Sequence, residues 1–152
     1  MRSLHQSRKL RIGRHSEEGR IYLITCNTKD RQPIFRDWRV GRIVVMQFHQ
    51  AECEGLVNSL AWVVMPDHFH WLLELRSESL SYAVGRTKSR ANFLVSSALK
   101  HTGSIWQQSF HDRAIRREED LKAVARYVIL NPVRAGLVRR VGDYPLWDAV
   151  WI

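Results

Sequence analysis

Two β-rich runs, residues 60–65 and His68 to Leu75, are parted by only Pro66 and Asp67. A parallel pair of strands needs a crossover of a dozen or more residues, so two turn-forming residues can join only antiparallel neighbours. The segment therefore reads as a β-hairpin and commits the chain to an antiparallel sheet. Side chains alternate between the two faces of each strand, so every residue of His68–Leu75 is assigned to a face once one of them is.

The rest of the pattern builds around this hairpin. Ile21, Tyr22, Leu23, Ile24, Thr25 and Cys26 form an earlier β-rich run, ended by Asn27, Lys29, Asp30 and Pro33. From Asp37, a candidate N-cap, apolar residues at Val40, Val44, Phe48 and Ala51 recur at helical spacing until Gly55. A long helix is expected from Ser79 through Lys100, with Leu80, Val84, Phe93, Leu94 and Leu99 as its apolar positions. Residues 105–116 read as a fourth, irregular strand. Glu118, Glu119 and Asp120 then open a helix whose dipole favours carboxylates at its start. Pro132 disfavours helical geometry in the residue before it, so that helix is expected to end at Asn131. The order is βαββαβ with an appended helix, a ferredoxin-like α+β arrangement.

At 152 residues the chain fits one domain. Residues 1–18, basic and without periodicity, read as a loose arm, and 19–152 as a single domain. Lys+Arg 24 against Asp+Glu 15 gives a net charge of +9, which points to a polyanionic partner, nucleic acid first. No apolar run approaches the roughly 20 residues that span a bilayer, and the first residues lack the apolar core of a signal peptide. A cytoplasmic protein without membrane association is expected. Cys26 and Cys53 form no CxxC pair and are expected to be buried as small hydrophobes.

Two features carry chemistry. His68 and His70, two apart on a strand, place two imidazoles on one face while Phe69 points to the other. Such a pair can hold a divalent ion, although it also occurs on ordinary half-exposed strands. Tyr127 and Asn131, four apart, share one face of a helix beside the stripe Leu121, Val124, Ala125 and Val128. That places a phenol and an amide at the edge of the buried face. By themselves they fit an amphipathic core residue and a C-terminal cap better than a site.

The HFH segment, the WQQSFHDRAIR segment and the RYVILNPVRAGLV segment, in this order and spacing, resemble the REP-associated tyrosine transposases, a branch of the single-tyrosine HUH transposases. The similarity runs from about Ile21 through Trp147. The resemblance implies a ferredoxin-like catalytic domain, His68, His70 and Asn131 as metal ligands, Tyr127 as nucleophile, and Mg²⁺ or Mn²⁺ as the ion. It implies action on single-stranded DNA that folds into hairpins, by a monomer or a homodimer. Tyr127 would displace a 3′ oxygen, keep the 5′ phosphate as a phosphotyrosine, and permit rejoining by the reverse attack. Asp120 is the candidate general base, with His111 and Asp112 as others. No tail extends past Ile152, so gating by such a tail is not expected.

Single-strand binding needs cations for phosphates and flat groups for bases. Arg86, Lys88 and Arg90 on the long helix, Arg113, Arg116 and Arg117 on the fourth strand, and Arg134 past the tyrosine helix are the candidate cations. Trp106 is the candidate base-stacking residue, with core packing as its alternative, while Trp62 and Trp71 are expected to pack against the sheet. Two other classes remain compatible: a water-using metal-dependent nuclease, and a catalytically silent protein that binds hairpin DNA or RNA.

Overall fold

The computed structural model describes residues 19–116 and 120–151, so the basic arm, Arg117, Glu118 and Glu119 lie outside the described residues. The chain runs through β1 (Ile21–Asn27), α1 (Trp38–Cys53), β2 (Val57–Met65), β3 (His68–Leu75), α2 (Leu80–Leu99), β4 (His111–Ala114), α3 (Leu121–Ile129), the short α4 (Asn131–Arg134) and β5 (Trp147–Ala149). The sheet order is β4-β1-β3-β2-β5 and every pairing is antiparallel. Its first four strands have the ferredoxin-like order; β5 is an addition along the outer edge of β2 that the sequence pattern did not reveal.

Alternation along β3 sorts the two cores. Phe69, Trp71, Leu73 and Leu75 face the layer formed by α1 and α2, where Phe48 of α1 packs on Trp71, Phe69 and Trp62 at ring distances of 4.6, 5.1 and 5.6 Å. On the opposite face Leu72, with Val63 and Met65 of β2, meets Val124, Val128 and Ile129 of α3. The histidine face is therefore covered by the tyrosine helix, and the other face by the two long helices.

The helix starts follow their caps. Asp37 accepts from Arg39 N, Ser79 from Tyr82 N, and Asp120 from Lys122 N and Ala123 N, each supplying an acceptor to an otherwise unpaired first-turn donor.

Several boundaries differ from the sequence reading. Strand β2 begins at Val57, ahead of a register shift between Ser59 and Ala61 that interrupts its alternation. Only His111–Ala114 of residues 105–116 form a strand; Trp106 makes an isolated bridge with Thr28 instead. In α2 the buried stripe is Leu80, Ala83, Val84, Thr87, Ala91 and Val95, whereas Phe93 (71% exposed), Leu94 and Leu99 face outward. Leu80 and Val84 are buried as expected, but small residues supply much of the rest of that stripe, so hydrophobicity by itself misplaced Phe93, Leu94 and Leu99. Cys26 is buried as expected, but Cys53 is exposed at the end of α1. Helix α3 ends at Ile129, and the chain re-enters helical geometry in α4, where Pro132 sits in the first turn and its missing N–H costs nothing.

Candidate active site

On the histidine face, strand pairing sets two cross-strand rows. Asn27, His68 and Met65 lie in one, and Thr25, His70 and Val63 in the next. The two imidazoles stand 4.9 Å apart between ring centroids, at 80° to each other. Each ring is held from behind through Nδ1: His68 by Asp67 Oδ1 at 2.7 Å, His70 by Thr25 Oγ1 at 2.8 Å. An ionised carboxylate can only accept, so His68 Nδ1 carries the proton and the neutral ring keeps its lone pair on Nε2. This is the arrangement that orients a histidine toward a metal ion.

Electrostatics keep both rings unprotonated. Burial, aided by the nearby positive charges of Arg134 and Arg31, pushes His70 down to about 3. Burial also lowers His68, against the raising pull of Asp67. For Asp67 itself partial burial opposes ionisation, but hydrogen bonds from His68 and Arg31 outweigh it and hold the carboxyl below its usual value. Two neutral imidazoles, with an anion fixed behind one of them, suit a divalent ion. Among the described residues no group of three or more His, Cys, Asp or Glu side chains is placed to hold a metal. Asn131 donates through Nδ2 to Val128 O at 3.1 Å and to Tyr127 O at 3.4 Å, so its Oδ1 is not used in these bonds.

Tyr127 is 54% exposed on α3, further from the buried face than its spacing suggested. Arg134 covers it, with the guanidinium carbon 4.2 Å from the ring centroid, while Nη2 donates to the Tyr127 carbonyl. Leu130, between α3 and α4, keeps right-handed helical geometry, so Arg134 follows Tyr127 by seven residues, about two helical turns, on nearly the same side. The same Arg134 charge reaches His70, which puts the phenol-bearing helix end and the imidazole pair within one electrostatic neighbourhood.

The other sequence candidates separate. Asp120 accepts through Oδ1 from Lys122 N and Ala123 N as the N-cap of α3, two turns before Tyr127 and about 10 Å away along the axis. His111 pairs across from Thr25 and shares the histidine face, whereas Asp112 pairs across from Ile24 and belongs to the other. Arg113, opposite Leu23, also lies on the histidine face at the open edge strand, with exposed Arg116 following. Arg86 and Arg90 belong to the opposite helical layer and are both engaged by Glu54, at 2.9 and 3.3 Å. Lys88 donates to the carbonyls of Gln107 and Ser109. Trp106 is 5% exposed, packs on Phe35 and Phe69, and donates Nε1 to Lys88 O. A ring so enclosed cannot stack on a base; the core alternative holds. Arg117 lies outside the described residues.

Sequence reasoning missed Asp67, Thr25 and Arg31. Asp67 was read only as a turn residue, although its position directly before the HFH segment was the available signal. Thr25 could be found only after β1 had been paired with β3.

The sequence model of IS200-like transposases matches residues 18–131. A REP-associated tyrosine transposase of Escherichia coli is 33% identical over 85 residues, which cover 56% of this chain and 50% of that protein. The matched segment thus spans about half the length of that relative. A Haemophilus influenzae protein carrying the same family name is 26% identical over 140 residues, covering 84% of this chain and 78% of its own. In fold, the chain resembles a REP-associated tyrosine transposase solved bound to a REP hairpin, with TM-score 0.71, 24% identity, and coverage of 88% of this chain and 79% of the other. Among the described residues no helix is long and apolar enough to cross a membrane.

Proposed function

The chain belongs to the IS200-like transposase family, and from that premise we propose that it cleaves and rejoins single-stranded DNA at hairpin sequences through a covalent 5′-phosphotyrosine on Tyr127. The observation that carries this reading is the imidazole pair: His68 and His70 are tied through Nδ1 to Asp67 and Thr25, and they lie on the sheet face that the tyrosine helix covers. The hairpin bound by the structural neighbour supports the choice of substrate.

His68, His70 and Asn131 would hold Mg²⁺ or Mn²⁺. When bound, such an ion polarises a phosphate oxygen as a Lewis acid. Tyr127 is the nucleophile: its Oη–P bond forms as the P–O3′ bond breaks, the phenol loses its proton and the departing 3′ oxygen gains one. One phosphoester replaces another, so the reverse attack by a 3′ hydroxyl rejoins the strand and releases the tyrosine. Arg134, stacked on the ring, limits the rotations open to the phenol and brings a permanent cation beside the incoming phosphate.

The experiment is incubation with end-labelled hairpin DNA followed by a denaturing gel. A protein–DNA adduct that forms with Mg²⁺ or Mn²⁺ and is lost with chelator, or in His68→Ala with His70→Ala, is the expected result. Cleavage without adduct would indicate a water-using nuclease, and neither cleavage nor adduct a binding protein.

A further inference from the structure

The outer side of the α1–α2 layer carries apolar side chains that the core does not use. Met46 of α1 is 57% exposed and Phe93 of α2 is 71% exposed, and together with Leu94 they line one groove of about 510 Å³ between the helices. Single exposed apolar residues are ordinary, but apolar residues of two elements meeting in one cleft form a contiguous patch, the mark of a contact surface. We propose that this groove docks an acidic amphipathic helix of a partner protein, on the side of the sheet away from the candidate active site. The inference does not depend on the strand-cleavage reading.

The groove has the shape that a third helix fills. Glu54, just past the end of α1, is held by Arg86 and Arg90 in α2. Followed back from there to Met46, α1 faces α2 residues that run forward to Phe93 and Leu94, so the two helices are antiparallel. Such a pair leaves a furrow along its outer side, into which the side chains of a further helix interdigitate. Gln47 in the furrow turns its amide back to Ile43 O of its own helix, so the apolar walls are what a partner meets. A helix lying there supplies apolar residues at i, i+3 or i+4, and i+7. Phe93 gives it a rigid anchor, and the unbranched Met46 adapts to its shape.

Charge selects the partner. The charged residues of α1 and α2 are Arg39, Arg42, Arg86, Lys88 and Arg90 against a single carboxylate, Glu52, which accepts from Ser59 N of the sheet. Exposed Arg42 precedes Met46 by one helical turn and so shares its face of α1. Arg90 stands in the groove wall, and Lys100 ends α2 two turns beyond Phe93. Apolar walls with cationic borders complement an apolar stripe flanked by Asp and Glu. A second copy of this chain, with its own net charge of +9, brings cations against cations. A nucleic acid would neutralise the borders but leave the aliphatic walls of Met46 and Leu94 without an apolar contact.

The test uses the full chain and a fluorescein-labelled synthetic helical peptide of about 14 residues, with Leu along one face and Glu on both flanks. Fluorescence anisotropy at low salt should give a Kd in about the micromolar range. The same peptide with Lys in place of Glu should bind at least roughly tenfold more weakly. Phe93→Ser and Arg42→Glu should each weaken the acidic peptide at least about tenfold. Both positions are exposed, so the melting temperature should stay at the wild-type value, and Phe93→Ser should keep hairpin DNA affinity within about twofold. No binding of the acidic peptide, equal binding of the two peptides, or wild-type affinity of Phe93→Ser overturns the proposal. Sedimentation velocity of the protein alone and flotation with anionic phosphatidylglycerol vesicles test the other occupants. Self-association or vesicle binding that Phe93→Ser abolishes would give the groove to a second copy or to a lipid surface, and displacement of the peptide by an unstructured single strand would give it to nucleic acid; each overturns the proposal.

Discussion

Asp67 grips His68 with one carboxylate oxygen and Arg31 with the other, at 2.7 and 3.0 Å. A single turn residue thereby sets the tautomer of one candidate ligand and ties it to the segment that follows β1.

Replacing that residue tests whether the pair is a metal site. Asp67→Ala frees His68 to rotate and to change tautomer, and substitutions of this kind typically weaken metal binding by about 10–100-fold. Titration with Mn²⁺ followed by calorimetry should show that weakening with the far-UV spectrum unchanged. Unaltered Mn²⁺ affinity would remove Asp67 from the site.

Tyr127→Phe removes one oxygen from an exposed ring whose hydroxyl makes no hydrogen bond to a described residue. Stability should stay within about 0.5 kcal/mol of wild type, the usual range for surface changes, and the stacking of Arg134 over the ring should persist. Adduct should vanish while hairpin binding remains. A Phe variant that still cleaves at the wild-type rate would exclude the phenol as nucleophile.

The Arg86 fork on Glu54, with Arg90 beside it, holds that carboxyl down to about 2 from 4.5. The folded value lies below the unfolded one, so the clamp contributes fully above about pH 4.5 and fades as pH falls toward 2. Glu54→Gln should therefore be less stable than wild type at neutral pH, and the gap should close on acidification. Urea melts across that range measure it; a gap that widens in acid would contradict the ion-pair account.

Placement of the cations predicts which of them meet DNA. Arg113 lies on the histidine face and exposed Arg116 follows its strand, so Arg113→Ala with Arg116→Ala should flatten the salt dependence of single-strand binding by about 0.7 in log-log slope for each phosphate that is no longer neutralised. Arg86→Ala with Arg90→Ala, on the opposite layer, should leave the slope close to wild type. The reverse outcome would place the phosphate contacts at the Glu54–Arg86 clamp instead.

Local patterns were enough for the skeleton. The two-residue connection at Pro66 and Asp67, the cap at Asp37, and the alternation through His68–Leu75 depend on neighbouring residues, and the structure has them where the sequence implied. The imidazole pair was legible for the same reason, since strand geometry alone puts residues two apart on one face.

What sequence could not decide depended on partners distant in the chain. Thr25 meets His70 across 45 positions, Trp106 donates to a carbonyl 18 residues earlier, and Arg86 finds Glu54 across 32. Trp106 and the two arginines looked like ligands for DNA because an aromatic ring and a guanidinium serve a core or an ion pair as well as they serve a nucleic acid. Sequence determined which residues carry chemistry and which face of a strand or helix they share. Tertiary packing decided which of those groups are already engaged by the protein, because burial and hydrogen-bond pairing are properties of neighbours in space.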